Sequence, residues 1–159
     1  MPQSLARRGL GSCVTATIAF GVASAFVGAP PASAMTPEAN TFLTATNAVR
    51  TYFHENHLAE NPTLDTKAQF WANAMAARHA LVHSNLAAGL QSLSWTMLGE
   101  NVGEGGPGGN ADQAIANAFV SSWSHFLILV NPGWTSMGVG VARAADGTVW
   151  VAEEFAHLP

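Results

Sequence analysis

Beyond Asn131-Pro132 the chain changes period. Met137, Val139 and Val141 alternate with Gly138, Gly140 and Ala142, and a second alternating run, Val149 to Phe155, lies across "AADGT". A period of two puts every second side chain on one face, as in a half-buried strand. Asp146-Gly147 between the runs is a strong turn signal, so the two predict an antiparallel hairpin with Val139 and Val141 turned toward the rest of the chain.

What precedes the hairpin reads as helices. Thr36 is placed to cap a helix whose first position is Pro37, and Phe42, Ala45, Val49, Phe53 and His57 then recur at three and four. "NPTLDTK" breaks that run. A second helix is predicted from about Asp65 to near His83, with Phe70, Ala74, Ala77 and Leu81 on one face and Trp71, Met75 and Val82 beside them. A third begins near Ala111, turns Ile115, Ala118, Phe119 and Ser122 inward, and carries His125 at its end. Residues 84–110 have little periodicity, and the glycines of "GEGGPGG" make a loop there. The plan is helix, helix, irregular segment, helix, hairpin, an α+β fold in which helices pack on a small antiparallel sheet.

The chain of 159 residues is expected to carry one domain behind a secretory signal peptide. Arg7 and Arg8 precede the apolar run "CVTATIAFGVASAFVGA", which leads to Ala32-Ser33-Ala34, a small-residue cleavage pattern. Residues 1–34 are then the signal and 35–159 the mature, secreted or cell-wall-associated domain, with no integral membrane segment left after cleavage. The lone cysteine, Cys13, leaves with the signal, so packing and not disulfides must hold the fold. Beyond residue 34 only Arg50, Lys67, Arg78 and Arg143 are basic, against all ten acidic residues. Such a domain offers no basic patch to nucleic acid or to an anionic membrane.

Three polar residues stand in apolar surroundings: His83 past the second helix, Glu100 in "LGENVG", and His125 in "SWSHF". They are too far apart for a local motif, so only the fold can bring them together. Neutral imidazoles are good ligands for zinc or another divalent metal, and two with a carboxylate resemble a catalytic zinc set. The alternative is that each is half buried and bonded to the backbone. Trp123 and Phe126 flank His125, and with Leu127, Ile128 and Leu129 they form either a buried helix end or the wall of a groove for a small apolar ligand, a lipid or sterol. Most of the five tryptophans are expected in the core. His54, His57, His79 and His157 read as surface or helix-end residues. Neither an H-E-x-x-H helix nor a G-x-S-x-G elbow is present, and "GEGGPGG" lacks the Lys-Ser or Lys-Thr of a phosphate loop.

The order of these motifs resembles the short bacterial branch of the CAP superfamily, the SCP-like extracellular proteins. The resemblance rests on Asn47 and Arg50 as "N-x-x-R", on His83, on Gly99-Glu100-Asn101 as "GEN", on Ser122, His125, Asn131, Pro132, Thr135 and Gly138-Val139-Gly140, and on a closing Trp150, Val151 and Phe155. It implies an α-β-α sandwich whose cleft is lined by His83, Glu100 and His125, the two histidines being able to hold a divalent metal. The second acidic residue that many members carry before the second histidine has no counterpart, and Ser124, Phe126 and Ile128 stand where Gly, Arg and Asn are usual. The implied function is an extracellular binding module for a metal, an apolar ligand or a cell-wall component. A metal-assisted hydrolase of cell-wall, peptide or lipid-ester substrates, with Glu100 as base, is one alternative, and a structural or antigenic surface protein another.

Overall fold

The computed structural model describes residues 35–159; the signal-peptide reading, with Arg7, Arg8 and Cys13, lies outside them. Four helices, α1 (Pro37–Tyr52), α2 (Pro62–Arg78), α3 (Ala111–Ser121) and α4 (Trp123–Leu129), pack on four strands, β1 (Ala59–Glu60), β2 (Met97–Gly105), β3 (Ser136–Arg143) and β4 (Val149–His157). The sheet order is β1-β3-β4-β2. Strands β3 and β4 form the expected antiparallel hairpin, and β2 adds antiparallel to β4. The sheet is mixed and not purely antiparallel, because the two-residue β1 runs parallel to β3.

Helices cover both faces of the sheet. On one, Met137, Val139, Val151 and Phe155 pack with Phe42 of α1, Ile115 and Phe119 of α3, and Leu129 of α4. On the other, Ala142, Trp150 and Ala152 meet Ala68, Ala72 and Met75 of α2. This α-β-α sandwich follows from β4 being central and buried along nearly its whole length.

Local chemistry sets the helix ends. Thr36 caps α1 by accepting from the Ala39 N–H, with Pro37 at the first position. The helix stops at Tyr52, short of the predicted run, and leaves Phe53 and His57 outside it. Asn61 caps α2 through the N–H groups of Thr63 and Leu64, so α2 starts at Pro62, earlier than predicted, and ends at His79 in a left-handed conformation. The inner face of α2 is Leu64, Ala68, Ala72, Met75 and Ala76; Phe70, placed on the apolar face from sequence, is exposed. Small residues win because α2 lies directly against β3. A Cβ on Gly138 or Gly140 would collide with the backbone of α2 at Leu64-Asp65 or Ala68-Gln69.

Past β1 the outer edge of β3 has no strand beside it among the described residues, and α2 supplies hydrogen-bond partners there. Asp65 Oδ1 accepts from the Val139 N–H (2.9 Å), while Gln69 accepts from the Val141 N–H (3.2 Å) and donates to its carbonyl (2.9 Å). Side chains thereby satisfy backbone groups that a bare edge would leave open. Burial pushes the Asp65 carboxyl up to about 7 against the pull of that N–H.

The motif residues Asn47 and Arg50 act as clamps. Asn47 brackets Leu58 by donating to its carbonyl and accepting from its N–H, and the fully buried Arg50 donates to the carbonyls of Asn56, Leu129 and Asn131. They fix the α1 turn and the end of α4, and so the floor beneath the candidate site.

Candidate functional site

The "GEN" segment, predicted as irregular, is part of β2, an edge strand hydrogen-bonded to β4, and this determines the site. Glu100 and Asn101 are consecutive on a strand, so they point to opposite faces of the sheet. Glu100 lies opposite Glu154 on β4, and Asn101 opposite Glu153. The two buried glutamates of β4 were not singled out from sequence, although adjacent acids inside an apolar alternating run are the signal that would have found them.

On the α2 face two carboxyls sit side by side, and Lys67 of α2 answers them. Its ammonium donates to Glu154 Oε1 and to Ser84 Oγ (2.7 Å), and lies 3.9 Å from Glu100 Oε2. Burial pushes the Glu154 carboxyl up to about 8, with Lys67 pulling it down and Glu100 adding to the rise. Glu100, its side chain 1 % exposed, accepts at Oε1 from the Ser84 N–H (2.9 Å) and from His83 Nδ1 (2.7 Å). The His83 ring itself is 63 % exposed. A buried, doubly bonded carboxylate thus orients a solvent-facing imidazole and leaves Nε2 as its outward atom.

On the opposite face, His125 sits within α4 and not at the end of α3, because the chain breaks at Ser122 and starts a new helix. Its Nδ1 bonds the Ser122 hydroxyl (2.8 Å) and its ring packs against Phe119. Burial lowers its pKa, and the proximity of His83 lowers it further. Asn101 ties this side together, donating to Glu153 Oε2 (3.1 Å) and reaching the His125 carbonyl (3.5 Å). Among the described residues no group of three or more His, Cys, Asp or Glu side chains is placed to hold a metal ion. Glu100 is engaged by His83 and Ser84, which leaves the two histidines as the metal-binding candidates.

A groove of about 650 Å³ runs between α1 and α3–α4. Its walls include Val49, Tyr52, Phe53, Val120, Trp123 and Phe126. The rings contact in series, Tyr52 edge-on to Phe53, Phe53 edge-on to Phe126, and Phe126 stacked on Trp123. Tyr52 is 78 % and Trp123 71 % exposed. Trp134 and Trp150 are in the core as expected, but Trp123 and Trp95 are exposed. The second wall comes from α1 instead of Leu127–Leu129, for Leu129 is buried beneath and Leu127 faces out.

The model of the cysteine-rich secretory protein family, CAP, matches residues 43–153. The chain belongs to the CAP family. Among curated proteins no sequence match is found. Solved structures give this CAP domain the same fold as an outer surface protein from Borrelia burgdorferi, with TM-score 0.67 at 16 % identity over 80 % of this chain and 97 % of that one. An extracellular SCP-domain protein from Bacillus anthracis matches with TM-score 0.63 at 19 % identity over 79 % of this chain, which spans 45 % of that protein. NaASP2, solved with Zn2+, matches with TM-score 0.61 at 16 % identity over 80 % of this chain and 83 % of that one. No helix among the described residues is long and apolar enough to cross a membrane.

Proposed function

We propose that this CAP domain is an extracellular binding module that takes a small apolar ligand, lipid- or sterol-like, into the groove between α1 and α3–α4. The observation that carries the reading is the groove itself: about 650 Å³, walled by aromatic rings that remain open to water. Contiguous exposed apolar surface mostly marks a binding site, and this volume falls in the range of small-molecule pockets. Export through the apolar segment of residues 1–34, with cleavage after Ala34, is part of the same reading.

The test is fluorescence of the neutral apolar probe N-phenyl-1-naphthylamine added to the protein. Saturable enhancement, weakened at least tenfold by Trp123→Ala or Phe126→Ala and untouched by His83→Ala, supports the groove. Enhancement that ignores both aromatic substitutions removes it.

A second reading, a divalent metal held by His83 and His125, is favoured by one observation. Each Nδ1 is already engaged, by Glu100 or by Ser122, so each ring is oriented with Nε2 free to ligate, the usual arrangement around metal-bound histidines. Zinc would supply a Lewis-acidic centre with open positions. The relative solved with Zn2+ supports testing that metal first. Calorimetric titration should give binding that His83→Ala and His125→Ala each abolish; heats unaffected by either substitution would remove the metal.

A further inference from the structure

Strand β1 ends at Glu60, paired with Met137, and the stretch of the β3 edge that follows is taken by Asp65 instead. Only one oxygen of that carboxyl is used. Oδ1 accepts from the Val139 N–H (2.9 Å), whereas Oδ2 is buried and, among the described residues, has no hydrogen-bond partner. Asp65 is 5 % exposed, and the exposed Glu60 side chain lies against it, acting on it by charge and by contact of carboxyl with carboxyl. Among the described residues no basic side chain is bonded to either. Lys67, two positions on, donates to Glu154 and Ser84, and Arg143, the one charged residue of β3, is bonded to Asp112. Two carboxyls in contact without a counter-charge share a proton or bind a cation, since a charge taken out of water is retained only when it is paired.

We propose that Glu60 and Asp65, set together at the outer edge of β3, hold a hard divalent cation of the calcium class, with water completing its shell. The orphaned Oδ2 of Asp65 is the buried anchor, and the exposed Glu60 side chain closes on the ion from the solvent side. A divalent ion neutralises both carboxylates, whereas a proton neutralises one. The donors are all oxygen, which suits calcium or magnesium rather than zinc, and magnesium gives up its water more reluctantly, which favours calcium. With two protein ligands the affinity falls at the weak end, about millimolar, as in extracellular calcium modules. The site shares no residue with the aromatic groove or with the His83 and His125 pair. Protons compete for it. Burial, joined by Glu60, pushes the Asp65 carboxyl up to about 7 against the pull of the Val139 N–H, so the ion meets a full carboxylate only above that value.

The experiment is thermal unfolding in about 20 mM calcium chloride against sodium chloride of equal ionic strength, at pH 8 and pH 5, in the wild type, Glu60→Gln, Asp65→Asn and His83→Ala. Calcium should raise the wild-type melting temperature by about 5 °C at pH 8 and by less than about 1 °C at pH 5, where Asp65 is protonated. His83→Ala should keep the whole shift. Glu60→Gln, altered at an exposed position and so expected to fold, should lose it, and so should Asp65→Asn, which still has an oxygen for the Val139 N–H. Amide shifts of the 15N-labelled wild type on adding calcium chloride at pH 8 should centre on Glu60, Asp65 and Val139. A wild-type melting temperature no higher in calcium than in sodium chloride, a calcium shift kept by Glu60→Gln or lost in His83→Ala, or amide shifts centred elsewhere overturns the inference.

Discussion

Glu153 and Glu154 are neighbours on β4 that face opposite sides of the sheet, and each is a carboxyl withdrawn from water. On the α2 side Glu154 is met by Lys67, and the pair extends through Glu100 to His83 and Ser84. On the α1 side, among the described residues, Glu153 has only Asn101 and Thr46, and the walls around it are apolar. Burial raises both to about 8. The neutralised side forms a rigid polar network holding an imidazole at the surface, and the uncompensated side lies under an open groove. The difference lies in charge: a cation answers the buried carboxyls on the α2 side, whereas only neutral groups bond the one on the α1 side.

The largest effect expected from breaking this contrast is at Lys67. Lys67→Met strands two adjacent buried carboxyls and should cost about 3–5 kcal/mol, read as a fall in the denaturant midpoint. Adding Glu154→Leu should recover most of the loss, because removing both partners of a buried pair is far milder than removing one. A double variant no more stable than the single would mean that the pair does not hold the network.

Glu153 should respond in the opposite sense. In the folded chain it keeps its proton up to about pH 8, against an ordinary value of 4.5, so the folded state binds more protons than the unfolded one between those limits. Stability from this group is then greatest in acid and falls as pH rises through that window. Glu153→Gln should leave the melting temperature near pH 5 almost unchanged, raise it by several degrees at pH 8, and flatten the slope between. A wild-type melting temperature that climbs from pH 5 to 8, with no change of slope in the Gln variant, would place Glu153 in a different environment.

The smallest effect on stability is expected at Trp123, 71 % exposed. Trp123→Ala should alter unfolding free energy by about 0.5 kcal/mol or less while weakening probe binding, whereas a buried aromatic would cost several times more. A large loss of stability on this substitution would make the ring structural.

The same contrast explains what could be read from sequence. The β3–β4 hairpin, the Thr36 cap and the pairing across Asp146-Gly147 were legible because period and turn chemistry are local. Strand β2 was not. Gly99 and Gly103 lie where Trp134, Ile115 and Phe119 press against the strand, so its burial leaves no alternation of large apolar residues. The inner face of α2 was misread for a related reason, since close approach to Gly138 and Gly140 selects alanines and turns Phe70 outward. His83 and Glu100 meet in a hydrogen bond and His125 bonds Ser122 within α4, arrangements set by the fold that residue type and setting did not specify. Lys67, Glu154 and Glu153 escaped notice because a charge pattern does not say which acids share a strand face with which cation.

The account rests most directly on where an apolar ligand binds. Titrating the 15N-labelled protein with N-phenyl-1-naphthylamine and following amide shifts would locate it. The account predicts saturable shifts centred on Val49, Tyr52, Phe53, Val120, Trp123 and Phe126, with the α2 network from Lys67 to Ser84 undisturbed. Shifts centred on that network, or none in the groove at saturating probe, would contradict it.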